Sequence, residues 1–164
     1  MKTCLLLVCT VSVLLGPAAR AQDACPGTLN KLLPYAGTYL TDQLLGEPEV
    51  TAGLQQLLGK EVDHLRSNVS VTGAVDLIAC HLVISGNAEH EGGSEQGIVA
   101  INVMSGTISA ALTTGGRIDV YVDGDSYYAV PISIRDWLAV VSTELRYRFD
   151  LPANARQLPP QGTP

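Results

Sequence analysis

The chain reads as an α+β protein: a central antiparallel sheet of about five strands with helices packed on one face. Three observations point there. A helical apolar period runs through the first third, and after Asn68 it changes to a period of two. Consecutive alternating segments then follow at hairpin spacing, and a helical stripe returns near the end. Helices grouped at the ends of a run of hairpin strands favour an antiparallel sheet over a βαβ arrangement.

The elements take shape in order. Met1 to Ala21 has the layout of a secretory leader. Lys2 supplies the positive start, Leu5–Leu15 the apolar stretch, and Ala19-Arg20-Ala21 a small-residue cleavage site before Gln22. The apolar stretch is too short to span a bilayer, and no later stretch approaches about 20 apolar residues. No lipobox precedes Cys25. The expected organisation is a signal peptide at 1–21, one domain at 22–150 and a disordered Pro-rich tail at 151–164. The expected location is the periplasm or the exterior.

Thr28–Leu45 mixes leucines with Pro34 and Gly37, which predicts short helical turns. Gly46 reads as a stop, and Pro48 suits the first turn of a new helix. Val50, Leu54, Leu57 and Leu58 keep helical spacing up to Gly59, a C-cap glycine, and a shorter helix follows through Val62 and Leu65. Val69 and Val71 open the first strand, broken near Gly73. Leu77–Ser85 reads as the second, with Ile78, Cys80, Leu82 and Ile84 on one face and Ala79, His81 and Val83 on the other. Val99, Ile101 and Val103 mark a third, Ile108, Ala110 and Leu112 a fourth, and Ile118, Val120 and Val122 a fifth. Ser105-Gly106 and Asp123-Gly124 are turn signals. Tyr127–Ile132 reads as extended. Ser133 is a candidate N-cap for a helix carrying Ile134, Trp137, Leu138, Val141 and Leu145.

Between the second and third strands lies a polar run from Ser85 to Gln96, with three glycines, three glutamates and His90 near its centre. It is longer than a tight hairpin needs, and long loops on rigid strands are common places for function. His90 with Glu89, Glu91 or Glu95, joined by His81 or His64, is a conceivable metal set. Neighbouring loop residues rarely converge on one ion, and no H-x-x-x-H or C-x-x-C spacing supports it, so no metal or cofactor is expected. The other readings are a histidine presented to a partner and a merely solvated loop histidine. His81 reads as a structural strand histidine and His64 as a surface one. Asp123-Gly124-Asp125 fits a turn better than a calcium loop. No nucleophile motif, catalytic carboxylate pair or phosphate loop appears, so the chain does not read as an enzyme. Asn68-Val69-Ser70 is a glycosylation sequon.

Of 10 basic residues, Lys2 and Arg20 fall in the leader, which leaves 8 against 16 acidic ones, a net of −8. That balance disfavours nucleic acid and anionic membranes and favours a basic protein partner. Cys4 and Cys9 leave with the leader. Cys25 and Cys80 remain in an oxidising compartment, where they either pair in a disulfide or leave Cys80 as a buried thiol.

The order of short strings carries a resemblance. Gly37-Thr38-Tyr39, Leu44-Leu45-Gly46-Glu47-Pro48, Leu57-Leu58-Gly59 and Asn68-Val69-Ser70-Val71 come first. Val83-Ile84-Ser85-Gly86, the His90 loop and Gly106-Thr107-Ile108-Ser109-Ala110-Ala111-Leu112 follow. From Leu33 to Val122 the chain resembles the inhibitor-of-vertebrate-lysozyme family, exported bacterial proteins that block C-type lysozymes. The resemblance implies an antiparallel sheet with helices on one side and a protruding loop of the form C-x-P-H-x-C. In the family that loop is closed by a disulfide, and its histidine enters the lysozyme cleft to bond the catalytic carboxylates. The corresponding residues here are Asn87, Ala88, Glu89, His90, Glu91 and Gly92. Asn87 and Gly92 stand in place of the cysteines, and Glu89 in place of the proline. The resemblance therefore implies a looser loop that carries two negative charges toward an acidic cleft. It names a C-type lysozyme as partner and makes a homodimer an expectation, since some members dimerise. Two alternatives stand beside it: a divergent binding or structural module that no longer inhibits lysozyme, and a metal-binding or hydrolytic loop.

Overall fold

The computed structural model describes residues 25–91, 94–114, 117–123, 127–141 and 147–148. The expected leader and Pro-rich tail, and Leu145 of the last helix, lie outside the described residues.

The N-terminal part folds as short helical pieces. A 3₁₀ segment at Asn30–Tyr35 precedes helix α1 (Thr41–Gly46) and helix α2 (Pro48–Leu58). Pro48 takes the first turn of α2, where its missing N–H costs no hydrogen bond, and Val50, Leu54 and Leu58 form its buried stripe. Gly59 stops the helix at φ +56°, a conformation that a Cβ would penalise. After a 3₁₀ turn at Gly59–Glu61, helix α3 (Val62–Asn68) buries Val62, Leu65 and Asn68.

The strands are β1 (Val71–Thr72), β2 (Asp76–Ile78), β3 (His81–Asn87), β4 (Gln96–Asn102), β5 (Ile108–Thr114), β6 (Arg117–Tyr121) and β7 (Tyr147–Arg148). They form one sheet in the order β1-β3-β4-β5-β6-β7, with β2 also on β3. Pairing is antiparallel except between β6 and β7. Helix α4 (Ile132–Val141) completes the described chain. The class is α+β as expected, with seven strands among the described residues where about five were read.

Three local readings change. Leu77–Ser85 is not one strand. Ala79 and Cys80 form a two-residue turn at φ +47° and +60°, and Ile78 pairs with His81 across it. Two positive φ values are what a right-twisted hairpin requires, and Asn-Gly would normally supply them. Here the turn has no glycine and is held by its surroundings. Cys80 is disulfide-bonded to Cys25, and its carbonyl accepts the Val103 N–H at 3.0 Å. The His81 ring donates to the Ala79 carbonyl at 2.9 Å. Cys80 is therefore a bridged turn cysteine rather than a buried strand thiol.

Tyr127–Ala129 is a 3₁₀ turn rather than extended chain. Helix α4 begins at Ile132, with the Pro131 carbonyl accepting from Ile134 and Arg135, so Ser133 lies inside its first turn.

The placement of helices is also refined. The N-terminal helices cover one face, packing with Leu82, Ile84, Val99, Ile101, Ala110 and Leu112. Helix α4 covers the opposite face through Ile134 and Leu138, against Val83, Ile98, Ala100, Ala111, Ile118 and Val120. With helices on both sides, β4 and β5 bury residues of both parities, which explains the unbroken apolar run Ile98–Ile101.

Candidate functional site

The β3–β4 hairpin extends further than the polar run implied. Asn87 still pairs with Gln96, so the loop proper is Ala88–Glu95. Ala88 N–H donates to the Glu95 carbonyl at 2.9 Å, and Glu91 N–H donates to the Ala88 carbonyl at 3.1 Å. Ala88–Glu91 is thus a hydrogen-bonded turn with Glu89 and His90 at its corner. His90 takes the left-handed backbone, φ +63°, that the third position of such a turn demands. Histidine is among the non-glycine residues that enter this region most readily. Both corner side chains project outward: that of His90 is 89% exposed and that of Glu89 76%, with Nε2 and Oε1 3.4 Å apart.

The two neighbours of the tip differ. Glu91 turns back on the loop, its carboxylate accepting from Ser94 Oγ at 3.0 Å and its carbonyl from the N–H groups of Ser94 and Glu95. Asn87 donates its side-chain N–H to the Ala88 carbonyl at 2.9 Å. Ala88 is buried. Of the six residues singled out, Glu89 and His90 form the presented tip, while Asn87, Ala88 and Glu91 build its frame. Gly92 lies outside the described residues.

The loop is not left open by the absence of a cysteine pair. Its C-terminal stem is bound to two other elements. Thr113 Oγ1 at the end of β5 accepts the Gln96 N–H at 2.6 Å and donates to the Ser94 carbonyl at 2.7 Å. Asn68, at the end of α3 and 1% exposed, donates to the carbonyls of Thr113 (2.8 Å) and Gln96 (3.1 Å). His64 Nε2 is 2.9 Å from Glu95 Oε2, and its Nδ1 is 3.6 Å from Glu61 Oε2 and 3.5 Å from Thr114 Oγ1. Gly97 makes this approach feasible. A Cβ there would stand 3.0 Å from Val69 Cγ1 and 3.2 Å from Asn68 Cβ, so its absence lets α3 lie against the start of β4.

Thr113 had no place in the sequence reading, Ser94 counted only as part of the polar run, and His64 had been read as a surface residue. Asn68 had been read as a sequon and not as a brace; its side-chain nitrogen is buried and spent on carbonyls, so the folded protein presents no glycosylation site there. His81 lies at the other end of β3, where Nε2 is 3.3 Å from the Asn102 side chain, far from His90. No group of three or more His, Cys, Asp or Glu among the described residues is arranged to hold a metal ion.

Residues 49–143 match the family model described as inhibitor of vertebrate lysozyme (Ivy). No curated protein and no solved structure matches the chain. The matched span opens in the first turn of α2 and ends just beyond α4, so it takes in the His90 loop and every element that braces it. Because that match covers more than half of the 164 residues, the chain belongs to the inhibitor-of-vertebrate-lysozyme family.

Proposed function

We propose that the protein is an exported inhibitor of a C-type lysozyme that acts by inserting the tip of the Asn87–Gly92 loop into the glycosidase cleft. The observation that carries this reading is the presentation of His90. It is 89% exposed at the corner of a turn closed at its base by Ala88 and Glu95. An imidazole so placed can give or take a hydrogen bond with a carboxylate, the chemistry on which a two-carboxylate glycosidase depends. The protein's own role is occlusion rather than catalysis. Its acidic charge supports association with a basic enzyme by steering. The leader-like start at Met1–Ala21 supports delivery to the compartment where such an enzyme acts.

Glu89 favours a second reading. Its carboxylate lies beside His90 and faces outward, so insertion would bring like charges together during desolvation, which costs up to several kcal/mol. On that reading the loop binds a different, basic surface. One experiment separates the two: titration of a C-type lysozyme with wild-type protein and with His90→Ala. Inhibition by the wild type that the variant loses supports insertion. Absence of inhibition at micromolar protein overturns it.

A further inference from the structure

The β4–β5 ladder ends in an unusual exchange of partners. Its last regular pair is Gly97 with Leu112. At the next position Gln96 N–H bonds not to the Thr113 carbonyl but to the Thr113 hydroxyl, at 2.6 Å. The carbonyl so released is taken by Asn68 Nδ2 at 2.8 Å. The same hydroxyl donates a hydrogen bond to the Ser94 carbonyl at 2.7 Å. One side chain, 1% exposed, therefore grips the two residues that flank Glu95.

We propose that Thr113 is a positioning residue for His90, the buried catch that sets the loop in its presented shape; this rests on the inhibitory role proposed above. The linkage runs through backbone hydrogen bonds. Holding Ser94 and Gln96 fixes Glu95 between them. The Glu95 carbonyl takes the Ala88 N–H, and the Glu95 N–H returns to the Glu91 carbonyl, so both ends of the turn bearing His90 are set by the stem. Asn68 and the His64–Glu95 contact tie the same stem to α3. A side chain of the same shape without the hydroxyl would leave the Gln96 N–H and the Ser94 carbonyl without their protein partner in a part-buried site. Both groups would turn to water instead, and the stem would lose its catch. Ordering would then be required at the moment of binding, and affinity would fall.

The test compares Thr113→Val, Thr113→Ser and His90→Ala by hydrogen exchange of the loop amides and by lysozyme inhibition. Thr113→Val is expected to speed exchange at Ala88, Glu95 and Gln96 by up to about tenfold and to raise the inhibition constant by a similar factor, the loss of one part-buried hydrogen-bond pair. Thr113→Ser keeps the hydroxyl and is expected to restore both readouts. His90→Ala is expected to remove inhibition while leaving exchange as in the wild type. Unchanged exchange in Thr113→Val overturns the proposal, as does faster exchange with an unchanged inhibition constant. If Thr113→Val does not fold, Thr113→Cys, which puts a weaker donor and acceptor in place of the hydroxyl, is judged by the same two readouts. A wild-type protein that inhibits no lysozyme removes the function proposed above, and the exchange result alone then decides whether Thr113 holds the loop.

Discussion

His64 Nε2 stands 2.9 Å from Glu95 Oε2, so helix α3 is joined through this pair, as well as through Asn68, to the stem of the loop that carries His90. Both side chains are partly exposed, at 30% and 24%, which keeps the contribution near the ordinary hydrogen-bond range of about 0.5–1.5 kcal/mol. His64→Ala is expected to weaken inhibition by roughly two- to tenfold, the affinity equivalent of that range. Thermal unfolding should move little, because the core beneath α3 rests on Val62 and Leu65. An inhibition titration run beside a melting curve checks both, and unaltered inhibition would show that the His64 contact does not steady the loop.

Removing the charge beside the tip should have the opposite sign. Glu89→Gln keeps the size of the side chain and takes away the carboxylate that would meet an acidic cleft. Inhibition of a C-type lysozyme is expected to strengthen by at least about fivefold, a fraction of the penalty for bringing like charges together. Glu91→Gln should do less for charge and more harm to the loop, since Glu91 accepts from Ser94. Weaker inhibition by Glu89→Gln would mean that Glu89 contacts a basic group on the partner.

The disulfide serves stability rather than the tip. Cys25–Cys80 closes a separation of 55 residues, and loop-closure entropy sets its stabilisation at about 4 kcal/mol at most. It also anchors a turn in which Ala79 and Cys80 both have positive φ. The double variant Cys25→Ser, Cys80→Ser should lose about 2–4 kcal/mol in denaturant unfolding. Inhibition at temperatures where it stays folded should be unchanged. The turn and the His90 loop sit at opposite ends of β3, about 20 Å apart at the rise of a strand. A large loss of inhibition in the folded variant would contradict this separation.

A surface pair gives a pH signature. The hydrogen bond between Lys31 Nζ and Glu49 Oε1, at 2.6 Å, raises Lys31 above its ordinary 10.5 and holds Glu49 below its ordinary 4.5. Glu49 therefore contributes stability above pH 4.5, lost as pH falls through its lowered value. Lys31 contributes below pH 10.5, lost as pH rises through its raised value. The wild type should melt slightly above Glu49→Gln from about pH 5 to 10. The gap should close in acid. A gap that widens on acidification would reverse the assignment.

Much of the fold was readable because its signals are local. Pro48 and Gly59 bound α2 as their backbone chemistry requires, and the change of period after Asn68 marks where helices give way to sheet. What went unread depends on contacts across the chain. Ala79-Cys80 carries no turn residue; its positive φ values persist because Cys25, Val103 and His81 hold the turn from outside. The sequence reading put all helices on one face; only packing shows α4 on the other, against Ile98 and Ala100. At the site, composition and resemblance singled out Asn87–Gly92 with His90 as the central residue, and the structure shows Glu89 and His90 at the tip. Thr113, Asn68 and His64 could not be placed beside the loop from sequence because they are 22 to 26 positions from His90.

By itself the sequence determined the α+β class, the helical start, the hairpin order and the histidine at the centre of the polar loop. Each follows from periodicity, from Gly and Pro chemistry, or from the polarity of one continuous stretch. Tertiary structure decided how that histidine is held. With no cysteine pair across it, the loop is tied by a hydroxyl from β5 and by an amide and an imidazole from α3. Such a closure forms only when Gly97 lets α3 approach β4, so no single stretch of the chain encodes it.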